Sequence, residues 1–337
     1  MTGTLADFGQ GGGVRIGLSA VVMALRERSL CVLTTAADVQ SAAPQPALPF
    51  GAFDPASDRT FELALRAFVT AQTGFRPGFV EQLYTFGDAG RASPRPTPGP
   101  ERRREISVGY LALTRDAATA DAAEARWTPV FDAFPWEDRR NGRTQPSDPT
   151  APNPIALDPL AEALTAWAGR DARRLARVQS LFALDAGLGG SEPRWNEERV
   201  LERYELLYEA GLVAEAARDR GHAMPAVATG LAMASDHRRI LATGLGRLRS
   251  KLKYRPVLFE LTPDTFTLSE LQTAAEAVAG LALHKQNFRR GVERTGLVEP
   301  TGRLSSATGG RPAELFRYTS ADPQGGQAPG LALPALR

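Results

Sequence analysis

The sequence is poor in the residues that build most disulfide, redox and metal sites. It has one cysteine, Cys31, and three histidines, His222, His237 and His284. A single thiol excludes an internal disulfide framework and a cysteine-rich zinc finger. The histidines are too scattered for a pair of ligands on one helical turn. No apolar run approaches the ~20 residues of a membrane-spanning helix. Met1–Gly13 lacks a basic segment followed by an apolar one, so no signal peptide is read. The expected location is cytoplasmic, with no membrane partner. Lysine is scarce as well: Lys251, Lys253 and Lys285 are the only three in the chain.

What is present describes a globular chain of about two domains. It has 337 residues, 43% of them hydrophobic and 23% charged, against roughly 150 residues per domain. The net charge of +2 hides an asymmetry. Residues 236–318 carry fourteen Lys and Arg against eight Asp and Glu, a net of +6, which leaves −4 for the rest. A basic C-terminal module on an acidic body fits a nucleic-acid contact at that end.

Local patterns place the elements. Val14–Leu25 and Leu30–Thr34 are aliphatic and β-branched around the polar turn Arg26–Ser29, which reads as a hairpin. A Pro/Ala loop runs to Pro49. A helix is expected over Thr60–Gln72, with Phe61, Leu65 and Phe68 on one stripe and Gly74 as its stop. Phe79–Phe86 and Ile106–Thr114 read as strands, separated by the Pro- and Arg-rich loop Arg91–Arg104. A second loop, Asn141–Pro154, precedes helices expected over Leu160–Leu184, Glu197–Ala210 and Asp236–Leu252. Residues 1–13 are expected to be flexible and the tail 321–337 disordered.

The segment 253–320 reads as a winged helix. Thr267-Leu-Ser-Glu270 is a capping box opening a helix with Leu268, Leu271, Ala275 and Val278 on its core side, and Gly280 ends it. A second helix over His284–Arg294 points Phe288 and Val292 inward. That leaves Lys285, Gln286, Asn287, Arg289 and Arg290 for base edges and phosphates in a major groove. Strands Leu297–Pro300 and Leu315–Tyr318 flank a Gly-rich loop whose Arg311 can enter a minor groove or meet phosphate. Thr267 and Ser269, at a helix N-terminus, are suited to a phosphate.

Leu48-Pro-Phe-Gly-Ala-Phe-Asp-Pro55, the helix after it and Thr73-Gly74-Phe75 resemble a Nudix box, GX5EX7REUXEEXGU with U aliphatic. In that box helix-borne glutamates hold Mg2+ against a diphosphate. Counted back from Gly74, the glutamate pair is replaced by Ala71 and Gln72, and the Arg-Glu pair by Ala67 and Phe68. Sliding by one puts Ala67, Thr70 and Ala71 in the slots. The helix keeps one carboxylate, Glu62, with Asp54 and Asp58 before it and Glu81 after it. The expectation is a Nudix-like scaffold without hydrolysis, and no metal site.

Further stretches extend the resemblance over about Val14–Tyr318. They are Val80-Glu-Gln-Leu-Tyr-Thr-Phe-Gly-Asp88, Ile106-Ser-Val-Gly-Tyr-Leu-Ala-Leu113, Lys251-Leu-Lys-Tyr-Arg-Pro256, Lys285-Gln-Asn-Phe-Arg-Arg290 and Gly310-Arg-Pro-Ala-Glu-Leu-Phe-Arg317. Together they are similar to the Nudix-related transcriptional regulators of NAD metabolism, in the alphaproteobacterial branch. The resemblance implies an α+β chain. A Nudix-like α/β/α sandwich over 14–235 carries a helical insertion at about 141–195. A linking helix over 236–252 leads to the winged helix. It further implies a homodimer on double-stranded operator DNA, no required cofactor, and an effector such as ADP-ribose, NAD or an ATP-like nucleotide.

For that effector the candidate residues are Arg15, Arg66 and Arg91, as diphosphate partners, Tyr84, as a base-stacking ring, and Asp88, for ribose hydroxyls. Trp127 and Phe134–Asp138 are candidates to line the cleft. Two other readings stay open. One is a Mg-dependent Nudix hydrolase in which Glu62, Glu81 or Glu197 replaces the lost carboxylates. The other is a protein-binding adaptor, which leaves the Lys/Gln/Arg helix face unexplained.

Overall fold

The computed structural model describes residues 14–37, 45–87, 104–115, 125–140, 157–184, 195–305 and 312–319. Asp88, Arg91 and Arg311 lie outside the described residues, as do the N-terminal segment 1–13, the loop 141–154 and the tail 321–337.

The first module is built on a mixed sheet. β1 (Val14–Arg26) and β2 (Ser29–Ala37) form the expected hairpin, turned at Glu27 and Arg28, both with left-handed φ (47° and 68°). That is the twist a two-residue hairpin needs, here without glycine. β3 (Gln45–Ala47) lies inside the Pro/Ala segment expected to be a loop and β4 (Phe50–Ala52) just after it, pairing with β2 and β1. Then come α1 (Phe61–Thr73), β5 (Phe79–Phe86), β6 (Arg104–Thr114), β7 (Arg126–Pro129), the single turn α2 (Val130–Ala133) and a 3-10 turn at Pro135–Glu137. The main path runs β3-β2-β1-β6-β5, with β7 on β2 and β5 at one edge. β6 pairs in parallel with β1 along its whole length, Val14–Ala24 against Arg104–Thr114.

Strand alternation divides the core. Leu18, Ala20 and Val22 face α1 and its Ala64, Leu65 and Val69. Val21 and Met23 face the opposite way, toward Ile240, Leu241 and Leu245. A strand buried on both faces reads as an unbroken apolar run, as β1 does.

The helical region is more divided than its pattern predicts. The single helix expected over Leu160–Leu184 is two, α3 (Leu157–Ala168) and α4 (Ala172–Phe182). Gly169 turns left-handed (φ 56°), and the Asp171 carboxylate caps the amides of Arg173 and Arg174. α5 (Val200–Glu209) is followed by α6 (Ala214–Arg220), which the sequence pattern did not reveal. α7 (His237–Leu252) does more than connect the modules. Ile240, Leu241, Leu245 and Leu248 bury it against the sheet, making it the helical layer opposite α1. Gly244 permits this approach, since a Cβ there would come within 2.9 Å of the Val21 side chain.

A 3-10 turn at Val257–Glu260 opens the second module. β8 (Thr265–Phe266), α8 (Leu268–Ala279), α9 (Lys285–Thr295), β9 (Val298–Ser305) and β10 (Ala313–Tyr318) complete it, with the antiparallel order β8-β10-β9. The ribbon strands are longer than expected from sequence. Among the described residues no helix is long and apolar enough to cross a membrane.

Candidate nucleic-acid interface and effector site

α9 presents the face that its sequence pattern predicts. Phe288 and Val292 are buried, and Lys285, Gln286, Asn287, Arg289 and Arg290 are exposed. Among the described residues no carboxylate pairs with Lys285, Arg289 or Arg290. Three cations left in solvent on one helix face meet phosphates without first breaking an ion pair.

The capping box is formed. The Glu270 amide donates to the Thr267 hydroxyl (3.1 Å), and the Thr267 amide donates to Glu270 Oε2 (2.7 Å). Thr267 is also buried, so both its polar groups serve the helix start, whereas Ser269 is exposed. Arg311 lies outside the described residues. On β9, Arg303 and Leu304 are exposed beside the ribbon tip. Neither belongs to the face expected from sequence; both follow Gly302, whose φ is 72° within β9.

In the first module α1 lies one residue later at each end than expected, over Phe61–Thr73. The Leu63 amide donates to the Thr60 hydroxyl (3.2 Å), and Gly74 ends the helix at φ 71°. Gln72, in a glutamate slot, clamps Phe50: its amide donates to the Phe50 carbonyl (2.7 Å) and accepts from the Phe50 amide (3.3 Å). Arg66 is engaged rather than open. It pairs with Glu62 (2.8 Å) and donates to the carbonyls of Pro77 and Gly78, fastening α1 to the entry of β5.

The other carboxylates are also committed. Asp54 accepts from the Ala56 amide (2.9 Å) and the Ser57 hydroxyl (2.9 Å), which hold its carboxyl below the usual range. Asp58 accepts from the Asp54 amide (2.8 Å). Glu81 pairs with Lys251 (2.6 Å), and Glu197 with Lys253 (3.1 Å). Among the described residues no group of three or more His, Cys, Asp or Glu is disposed to hold a metal ion. Burial, with the Glu62 charge nearby, pushes the Tyr110 hydroxyl upward.

Among the described residues the other effector candidates lie on separate strands. Arg15 is exposed at the start of β1, opposite Glu105. Tyr84 lies two strands away on the edge strand, 63% exposed, with its ring edge-on to Phe86 at 5.5 Å. Trp127 is half-buried beside the α1 face, and Trp136 is core.

A buried junction ties the modules together, and no sequence motif announced it. Glu137 accepts from Arg203 (2.6 and 2.9 Å) and from Arg249, all three fully buried. Two guanidiniums share one carboxylate, and backbone carbonyls take the surplus donors. Arg203 donates to Leu181 (3.3 Å) and Asn196 (2.9 Å), Arg249 to Glu197 (3.0 Å) and Val278 (2.9 Å). Burial alone would raise the Glu137 carboxyl, but the two arginines outweigh it and hold it below the usual range. Burial also pulls Arg249 down, against the attraction of Glu137. Arg139 and Arg203 both lie over the Trp195 ring, at 4.2 and 3.8 Å. On the winged-helix side the Arg139 amide donates to the Gly280 carbonyl (2.7 Å). A Cβ at Gly280 would collide with the Glu137 carbonyl and lie 2.7 Å from Arg249 Nη2. Arg115 adds a second tie, to the Phe259 carbonyl (2.8 Å) and Asp264 (2.6 Å).

Residues 258–318 match the family model of the NrtR DNA-binding winged helix domain. The match starts within the 3-10 turn before β8 and ends with β10, so the second module is an NrtR-type winged helix. Over 92 residues the chain is 39% identical to the ADPR responsive transcriptional repressor NtrR of Acinetobacter baylyi, covering 27% of this chain and 36% of that one. The chain thus spans about a third of the length of the curated relative it matches. The crystal structure of Shewanella oneidensis NrtR complexed with a 27mer DNA superposes with a TM-score of 0.51 at 19% identity, covering 90% of this chain and 93% of that one. A MutT/nudix family protein from Enterococcus faecalis gives 0.50 at 15% identity, covering 94% and 90%. The fold is therefore that of a Nudix-like sandwich joined to a winged helix.

Proposed function

We propose that the chain is a DNA-binding transcriptional repressor whose Nudix-like module senses ADP-ribose. The observation that carries this is the exposed α9 face of Lys285, Gln286, Asn287, Arg289 and Arg290 on an NrtR-type winged helix. Lys and Arg neutralise phosphates, and Gln and Asn pair with adenine edges. The effector follows from the ADPR-responsive relative and from a sensor built on the Nudix scaffold. The genes controlled are those of NAD synthesis or salvage, as the family resemblance implies. The repressor works as a homodimer on a palindromic operator in the cytoplasm.

The sensor binds its nucleotide without hydrolysing it. No glutamate occupies the Nudix slots of α1, and Glu62, Glu81 and Glu197 are each paired with a cation. A carboxylate neutralised by a neighbouring Arg or Lys is a poor ligand for Mg2+. Arg15 and Tyr84, both exposed, are the contacts proposed for the nucleotide. Arg66 shapes the helix that carries the site.

The test is fluorescence anisotropy on duplex DNA from upstream of the chain's own gene, with and without ADP-ribose, NAD or ATP. The same sample is assayed for Mg2+-dependent hydrolysis. Saturable binding altered by one nucleotide, with no turnover, is the expected result. Turnover without sequence-specific binding would make the chain a Nudix hydrolase instead.

A further inference from the structure

The two helices of the helix-turn-helix start in different ways. α8 opens on its own capping box. α9 has no side-chain cap at His284, and its first turn holds Lys285 and no carboxylate. A cation there opposes the helix dipole, and the first amides lack a side-chain partner. Yet the N-terminal residues of a recognition helix are the ones that meet base edges.

Leu283, the last residue before that N-cap, holds this end. Both of its backbone groups are taken by side chains of α8. Its amide donates to Glu276 Oε1 (2.8 Å), and its carbonyl accepts from Gln272 Nε2 (2.8 Å). Gln272 Nε2 also donates to Glu276 Oε1 (3.0 Å), so the three residues close one ring. Gln272 and Glu276 stand one turn apart on the same helix, which fixes the width of the clamp. The Leu283 side chain is buried beneath it. At the other end of the turn the Arg139 amide donates to the Gly280 carbonyl (2.7 Å), and Arg139 bridges to Leu281.

Glu276 has the wrong charge for a module that meets phosphates. It shares that module with Lys285, Arg289 and Arg290, and a carboxylate there opposes a polyanion. What it supplies is the acceptor for Leu283.

We propose that Gln272 and Glu276 are positioning residues for base readout, setting the angle at which α9 enters the groove and hence the sequence specificity. The proposal rests on the DNA-binding reading given above. Phosphate contacts tolerate a small change of angle, because long Lys and Arg side chains can follow a charge. Bidentate contacts to base edges do not, because they need fixed distances and directions. Without the clamp the Leu283 amide loses its acceptor, and the start of α9 can swing about the buried Phe288 and Val292.

The test compares the full chain on the duplex from upstream of its own gene and on a scrambled duplex of equal length. The ratio of the two Kd values reads specificity. Glu276→Leu removes the acceptor, Glu276→Gln keeps one, and Gln272→Leu opens the clamp from the other side. Glu293→Gln removes a charge from the exposed side of α9 as a control. In Glu276→Leu and in Gln272→Leu the ratio should fall by about tenfold or more, the equivalent of one base contact. The scrambled-duplex Kd should hold or tighten, since a negative charge is lost or unchanged. Glu276→Gln should keep the ratio within about threefold of wild type, and Glu293→Gln should tighten both duplexes alike. A wild-type ratio in both leucine variants overturns the proposal and leaves the repressor reading intact. So does a loss that falls equally on both duplexes, or a Glu276→Gln loss as large as that of Glu276→Leu. A wild-type chain that does not prefer its own upstream duplex overturns both.

Discussion

The two modules treat charge in opposite ways. The Nudix-like module buries three of its arginines: Arg203, Arg238 and Arg249 are fully buried, paired with Glu137 or Glu215, and surrounded by carbonyls. The winged helix turns its cations outward, with Lys285, Arg289 and Arg290 in solvent. Buried charge has one arrangement that satisfies it and resists all others. Exposed charge is ready for a partner whose phosphates displace only water and counterions. The first suits a part that must hold a shape, and the second suits a part that must bind.

Five measurements sharpen this contrast. The largest effect is expected at the buried junction. Glu137→Ala leaves two buried guanidiniums without a carboxylate and should cost about 3–5 kcal/mol in urea unfolding. The same pair sets a pH dependence. The Glu137 carboxyl is depressed in the folded chain, so its contribution is complete above the ordinary carboxylate range. It is lost as pH falls through the lower, folded value. Melting curves of Glu137→Gln should accordingly show a flatter acid limb than wild type.

The exposed face should respond in the reverse sense. Arg289→Ala and Arg290→Ala are expected to weaken DNA binding by roughly 1–3 kcal/mol each where they read a base edge. Where an arginine meets phosphate, the log–log salt slope should drop by about 0.9. Thermal unfolding should not change. Equal melting-temperature losses for Glu137→Ala and Arg289→Ala would contradict the contrast.

Smaller effects come from local devices. Thr267→Ala removes the hydroxyl of the capping box and should cost about 1 kcal/mol of stability, read by chemical denaturation. Smallest of all is the exposed pair Arg317–Glu299. Glu299→Ala should cost at most about 1 kcal/mol, because solvent already screens the pair.

The same contrast explains what could be read from the sequence. The capping box, the inward pair Phe288 and Val292, the Thr60 cap and the Gly74 stop all depend on neighbours within one or two turns, and they fold as written. The junction does not. Glu137 lies 66 residues from Arg203 and 112 from Arg249, and nothing near any of them marks the meeting. β3 and β4 escaped notice for a related reason: three-residue strands beside prolines gain their pairing from β2 and β1 rather than from propensity. Arg66 shows the limit for sites. Its residue type matched a diphosphate ligand, but Glu62 and two carbonyls were positioned to take its donors.

In the proposed repressor one chain links nucleotide binding to DNA binding. Calorimetry of ADP-ribose binding to the full chain, free and saturated with its upstream duplex, tests it most directly. Linkage requires the ADP-ribose Kd to change with DNA by the same factor as the DNA Kd changes with ADP-ribose. Equal factors well above one are predicted. Identical ADP-ribose affinity with and without DNA would mean that the sensor and the winged helix act independently.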